Sequence, residues 1–460
     1  MQTKNISIIG AGLVGSLLAI YLKRQGHTVT VYERRPDLRK GNISAGRSIN
    51  LALSDRGWQP LKEVGLEEYL LQMIIPMKGR IMHDNAGQIT LQPYGKEGQA
   101  INSISRGGLN SLLMNKAESL GVNFKFEHKC LEIDFDQTTL YLSNDTNNST
   151  IKSDLIFGTD GAFSAVRAAM QKQDRFTYSQ SYLAHGYKEL VIPATKSGDF
   201  AIDKNGLHIW PRGKYMLIAL PNLEGSFTVT LFLPFEGKGY AFENLNTDKE
   251  ILHFFKEVFP DALNFMPTLL DDFRANPAAS LVTVKSYPWV TNNTMLLGDA
   301  AHAMVPFYGQ GMNCGFEDCF ELNKYIEHYG DDWKAIFKLF GESRPENTNA
   351  ITDLALGNFI EMRDRVGDES FLLRKKIEAH LNTLYPKRWI PQYSMVTFNS
   401  QISYAFARRV GRFQHQIMDE IMKTPSIKSN WRNLDFETII ENLEKLMKNG
   451  GGNIENKYPL

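Results

Sequence analysis

The most constraining stretch of this chain is its beginning, where the apolar run Ile6 to Ile9 leads straight into GAGLVG, then SLLAIYLKRQGH and TVTVYE. A strand-like run, a glycine turn, an amphipathic helix and a second alternating run make one βαβ unit, which commits the chain to an α/β fold with a parallel sheet. Each glycine has its own task. Gly10 allows the tight turn, Gly12 lets the backbone approach a pyrophosphate, and Gly15 lets the helix lie close on the strand. Leu13 opens the helix, whose N-terminal N–H groups face the phosphates. Glu33, at the end of the second strand with Arg34 and Arg35 beside it, is placed to accept hydrogen bonds from a ribose. The unit predicts a dinucleotide and does not tell NAD from FAD. No second G-x-G-x-x-G follows a strand, so a nicotinamide co-substrate is expected to bind transiently and elsewhere.

A chain of 460 residues is longer than one core usually sustains, and two or three domains are expected. Its 51 basic and 51 acidic residues leave no net charge to recruit nucleic acid. The three cysteines, Cys130, Cys314 and Cys319, form no C-x-x-C, and no histidines stand at metal-ligand spacing. Neither a disulfide framework nor a metal site is signalled, which fits a reducing cytoplasm. No secretory signal opens the chain, and no window reaches the roughly 18 apolar residues of a membrane-spanning helix. Phe436 to Met447 reads as an amphipathic helix docked on the body.

Beyond an Arg- and Gly-rich loop, Arg39 to Arg47, the segment SINLALSDRGWQPLKEVGL predicts a strand entering a helix that ends at Gly65. MKGRIMHDNAGQITLQPY alternates around the turn residues Asp84 to Gly87 and predicts a hairpin. Between about Tyr182 and Pro288, strands such as YMLIAL and FTVTLFL predict a second sheet, the latter with Thr228 and Thr230 on one face. From Glu317 the pattern is mostly helical, with interruptions expected at Pro345, Pro386 and Pro391; the only low-complexity tract is Gly450 to Gly452.

Far downstream, the apolar MLL is followed by GDAAH (Gly298 to His302) and PFYGQGMN. Asp299 at a strand end can bind a ribityl hydroxyl. Gly309 and Gly311 free backbone N–H groups near a helix starting around Met312, whose positive end favours the negative charge of a reduced flavin. His302 is expected to fix this loop by hydrogen bonding and takes no chemical step.

With GAGLVG, the DG of Gly158-Thr159-Asp160-Gly161 and GDAAH in this order, the chain resembles the FAD-dependent aromatic hydroxylases of the p-hydroxybenzoate hydroxylase type. The resemblance implies a Rossmann-like FAD-binding domain (1–75, 100–178 and 286–375), an inserted antiparallel β-sheet substrate domain (76–99 and 179–285) and a C-terminal helical region (376–460). It implies FAD contacts at Asp160, which also lies near NADPH, and at Arg106, Cys130, Pro306, Gln310, Met312 and Asn313.

Further stretches, RSINLALSDRG, LQPYG, HGYKEL, LHIWPRG, MVPFYGQGMNCGFED and IPQYSMVTF, resemble the members of that family that hydroxylate L-kynurenine at ring carbon 3. The implied reaction consumes NADPH and O2 and proceeds through a flavin C4a-hydroperoxide. Arg80 and Tyr94, on opposite arms of the hairpin, would clasp the substrate carboxylate. Asn358 and Glu361 share a helix face; Glu361 would meet the substrate ammonium or hold Arg80. Tyr393, Thr397 and Phe232 complete the expected substrate set. Tyr308 departs from relatives with Phe or His there. Eukaryotic relatives also carry a hydrophobic anchor absent here, so a soluble, bacterial-type, cytoplasmic enzyme, monomer or homodimer, is expected. The competing readings are a same-fold hydroxylase of another aromatic acid or phenol, a non-catalytic flavin-binding regulator and a membrane-associated relative with similar FAD motifs.

Overall fold

A computed structural model describes residues 2–40, 50–94, 98–144, 147–364 and 369–449. The loop expected over 41–47, Gly95 of LQPYG and the glycine run 450–452 lie outside the described residues.

The N-terminal unit folds as strand Asn5–Ile9, helix Leu13–Arg24 and strand Thr28–Tyr32. Both strands pair in parallel in a six-stranded sheet whose order is 290–291, 294–296, 155–158, 5–9, 28–32, 123–125. The near-continuous apolar character of Ile6 to Ile9 and Leu155 to Phe157 follows from burial on both faces. Helix Arg106–Ser119, N-capped by Ser105 accepting from Gly108 N–H, and helix Gly311–Tyr329 pack against helix Leu13–Arg24.

The second sheet has seven strands in the order 279–287, 177–192, 227–234, 215–221, 206–212, 79–83, 89–93. The predicted hairpin is Gly79–His83 with Ile89–Pro93, and its turn is held by the Asp84 carboxylate accepting from the N–H groups of Ala86 and Gln88. The expected antiparallel sheet carries one parallel junction, Gly206–Arg212 against Gly79–His83, where this earlier hairpin joins the later meander. Strand Phe227–Pro234 is buried on both faces. Val229, Leu231 and Leu233 join a core with Phe254, Phe255 and Phe259 from the helices over 248–275, while Thr230 and Phe232 face a cavity on the other side.

The C-terminal part is helical as expected, with one correction. Pro345 does not interrupt: helix Trp333–Asp364 runs through it. A proline inside a helix costs roughly 3 kcal/mol. Burial of Phe337, Phe340, Ile351 and Ala355 on either side of it outweighs that cost, since each large apolar side chain contributes about 1.5–3 kcal/mol. Pro386 and Pro391 do fall between helices. Among the described residues no helix is long and apolar enough to cross a membrane.

Candidate active site

A cavity of about 590 Å³ runs from the glycine turn of the N-terminal unit to the inner face of the seven-stranded sheet. Of the residues singled out from sequence, its wall includes Gly10, Gly12, Leu13, Glu33, Arg34, Arg35, Arg106, Cys130, Asp160, Asp299, Pro306, Gly309, Gln310, Gly311 and Met312 at one end. Arg80, Tyr94, Phe232 and Tyr393 line the other.

At the nucleotide end, Glu33 Oε2 accepts from Ala11 N–H at 3.0 Å and Oε1 from Arg35 N–H and Nε at 3.0 and 2.9 Å. Burial pushes this carboxyl up, but the Arg35 guanidinium and the two N–H groups outweigh it and hold Glu33 below the usual carboxylate range. An ionised acceptor therefore stands at the strand end. Gly15 does not line the cavity; a Cβ there would lie 2.0 Å from the Gly10 carbonyl oxygen, so only glycine lets this helix close on the turn. No side chain caps helix Leu13–Arg24, and Gly12 at its N-cap has open space on the cavity side. The Asp160 carboxylate caps the next short helix, accepting from Ser164 Oγ at 2.5 Å and Ala165 N–H at 2.6 Å, and burial raises its pKa. Burial also pushes the Cys130 thiol up to about 12, which keeps it a neutral wall residue.

The GDAAH loop is fixed from behind. His302 Nε2 meets Asp318 Oδ2 at 2.6 Å, and the same oxygen accepts from Gly298 N–H at 3.0 Å, leaving the Asp299 side chain exposed to the cavity. Gly309 adopts φ +66°, the left-handed turn that lets the chain enter helix Gly311–Tyr329. Asn313 is not on the wall. It braces the loop, donating to the carbonyls of Ala52 and Gly309 and accepting from Ser54 N–H.

At the far end the guanidinium of Arg80 lies 4.8 Å from the Tyr393 ring centroid and 5.9 Å from that of Tyr94. Tyr393 stacks between Tyr94 and Tyr308, at 5.7 and 5.3 Å. Burial pulls the Arg80 pKa down, while Tyr393, Tyr94 and Glu361 together raise it above the ordinary guanidinium value, so its charge is fixed. Burial keeps Tyr94 and Tyr308 neutral phenols. The Tyr94 hydroxyl is buried beside Arg80 and Tyr393 without meeting either at hydrogen-bonding geometry.

Three expected substrate residues stand off the cavity wall. Asn358 donates to the Phe307 carbonyl at 2.6 Å and so holds the loop. Glu361 acts on Arg80 electrostatically and lies 3.8 Å from Lys375 Nζ. Thr397 is fully buried at the end of helix Gln392–Thr397, its hydroxyl unpartnered. Sequence reasoning passed over Arg56, Glu317, Arg344 and Tyr404, which form a buried network behind the loop. The two adjacent acids in the otherwise apolar GFEDCF run were the available signal, because buried acids require cationic partners.

This donor set fits FAD. An ionised acceptor for a ribose, an uncapped helix start behind glycines and an exposed Asp299 beside a second helix start occur in the order a dinucleotide with a ribityl chain presents them. Fold and cavity together define a FAD-binding protein. Residues 3–331 match the family model described as FAD binding domain. The chain is 49% identical over 450 residues to the kynurenine 3-monooxygenase of Flavobacterium johnsoniae, covering 97% of this chain and 100% of that one. It is 47% identical over 438 residues to the kynurenine 3-monooxygenase of Dictyostelium discoideum, with 92% and 94% covered. The chain belongs to the kynurenine 3-monooxygenase family. Among solved structures it shares its fold with 2-methyl-3-hydroxypyridine-5-carboxylic acid oxygenase, at TM-score 0.66, 21% identity and coverage of 80% of this chain and 94% of that one. PqsL of P. aeruginosa follows at TM-score 0.65, 17% identity and coverage of 79% and 98%.

Proposed function

We propose that this chain hydroxylates L-kynurenine at ring carbon 3, using FAD, NADPH and O2. The observation that carries the reading is Arg80: a guanidinium whose charge is fixed, flanked by Tyr94 and Tyr393, at the end of the cavity away from the nucleotide turn. Such a group holds a carboxylate in place. The names of the relatives supply the substrate to which that carboxylate belongs.

Bound FAD, once reduced by NADPH, would supply the oxygen-activating centre. The protein does the rest. Glu33, Asp299 and the two helix N-termini bind the cofactor, with Arg106 and the backbone at Cys130 beside it. Arg80, Tyr94 and Tyr393 orient the amino-acid head group, and Glu361 balances the charge around Arg80. Phe232, Phe307, Pro306 and Leu281 give the cavity apolar wall and exclude water. The substrate's aromatic amine already activates the ring carbon beside it, so no strong general base is needed. The FAD-binding, substrate and helical divisions expected from sequence belong to this reading, since the cavity draws its walls from all three stretches.

The test is NADPH oxidation by FAD-loaded protein with and without L-kynurenine, with 3-hydroxykynurenine and peroxide separated by chromatography. Stimulated oxidation with stoichiometric hydroxylated product is expected. Peroxide without that product would move the reading to another aromatic acid.

A further inference from the structure

Behind the cavity, Arg56 is fully buried and its side chain spans two parts of the fold. Its Nη1 lies 2.6 Å from Glu317 Oε1, in helix Gly311–Tyr329. Its Nε donates to the Val396 carbonyl at 2.6 Å and its Nη2 to the carbonyls of Met395, Asn399 and Ile402. These carbonyls close the C-terminal end of helix Gln392–Thr397, the helix that carries Tyr393. The guanidinium also lies 4.1 Å from the Tyr404 ring centroid. The Tyr404 hydroxyl donates to Gln310 Oε1 at 3.1 Å, and Gln310 is the N-cap of the helix at the GDAAH-side loop. Glu317 Oε2 is held by Arg344, whose Nε meets Asp318, the acid that grips His302 and Gly298 N–H.

We propose that Arg56 and Tyr404 are positioning residues that join the Tyr393 helix to the Gln310 end of the flavin-side helix, so that filling the head-group end of the cavity is felt at the flavin loop. The inference rests on the kynurenine reading above. Physically, both helices hang on one set of buried, directional contacts, and a buried charged group leaves them little freedom to move separately. Tyr393 stacks on Tyr308 in the same loop, so substrate held by Tyr393 loads both ends of this connection.

The test uses FAD-loaded wild type, Tyr404→Phe and Arg56→Gln. Neither residue lines the cavity. Tyr404→Phe keeps the ring under the guanidinium and removes only the hydroxyl bond to Gln310. Four quantities are read: FAD affinity by flavin fluorescence, melting temperature, the change in the bound flavin's absorption spectrum on adding L-kynurenine, and peroxide formed per NADPH. In Tyr404→Phe, FAD affinity stays within about twofold of wild type. The energetic link between kynurenine and flavin environment weakens about three- to tenfold, the scale of one buried neutral hydrogen bond. The spectral change is correspondingly reduced, and the peroxide fraction rises. Arg56→Gln shows the same pattern more strongly; if it does not fold, Tyr404→Phe decides. A wild-type spectral change and peroxide fraction in Tyr404→Phe overturn the connection while leaving the function intact. A wild-type protein that neither shifts its spectrum nor turns over with kynurenine overturns the function, and the connection with it.

Discussion

His83 Nε2 and His208 Nδ1 lie 2.9 Å apart inside the seven-stranded sheet, and the partner at each end of this pair is an acceptor. His208 Nε2 faces the Asp203 carbonyl at 2.7 Å, and His83 Nδ1 faces the Asp261 carboxylate at 3.1 Å. A carbonyl cannot donate, so His208 carries its proton on Nε2 and accepts from His83 on Nδ1. Within the pair, His83 Nε2 is then the donor.

This arrangement predicts an acid limb in the stability of the protein. Burial, with His83 adjacent, holds the His208 pKa down to about 4 against the ordinary 6.5. The unfolded chain binds a proton at about 6.5 that the folded chain refuses until about 4, so unfolding is favoured as pH falls through that window. His208 thus contributes stability that is complete above about pH 6.5 and declines towards pH 4. Melting temperatures of wild type and His208→Gln should converge as pH falls from 7 to 4.5; parallel curves would show that His208 does not set the limb.

Replacing Arg80 by Met should weaken L-kynurenine binding by roughly 10- to 100-fold, the scale of a charge-assisted bidentate contact. FAD affinity should be untouched, because Arg80 lies at the far end of the cavity. Equilibrium titration of the bound flavin's spectrum measures the first, and fluorescence the second. Equal losses in both would mean a general collapse of the cavity.

Glu33→Gln keeps the size of the side chain and removes the charge that Arg35 and the Ala11 N–H group organise. FAD affinity should fall about tenfold, as expected for a lost charged hydrogen bond. Kynurenine binding to the fraction that retains FAD should be unchanged. The assignment fails if apo-protein reconstitutes with FAD at wild-type affinity.

Glu317→Ala takes the carboxylate from buried Arg56, which keeps only backbone carbonyls, and one of two carboxylates from buried Arg344, which keeps Asp318. Burial pushes this carboxyl up and the two arginines pull it below the usual range, so it is ionised in the fold. Removing it should cost about 3–5 kcal/mol in denaturant unfolding, the cost of breaking a buried ion pair from one side. A loss below about 1 kcal/mol, the value of an exposed pair, would show that water reaches the site.

The N-terminal unit, the hairpin and the GDAAH turn were legible because each is local: glycines, turn residues and periodicity lie within a few positions of the geometry they dictate. The helix through Pro345 was not, because tertiary burial overrides a local signal that a window of sequence cannot weigh. Asn358 and Asn313 illustrate a second limit. Sequence pattern placed both near the site, yet their amides hold loop backbone at Phe307 and at Ala52 and Gly309, a choice set by which carbonyls come within reach once the chain is folded. Arg56 was illegible for the same reason, its acceptors lying 261 to 346 positions away.

That separation has a consequence for biosynthesis. Arg56 leaves the ribosome long before Glu317 and longer still before Val396, 340 residues later. At about 5–20 residues per second, roughly 20 to 70 s pass between the guanidinium and the last of its carbonyls. During that interval the βαβ unit can form while Arg56 stays hydrated, since it has nothing to be buried against. The substrate end of the cavity is therefore completed late, when the segment around Tyr393 arrives and Arg56 gives up its water.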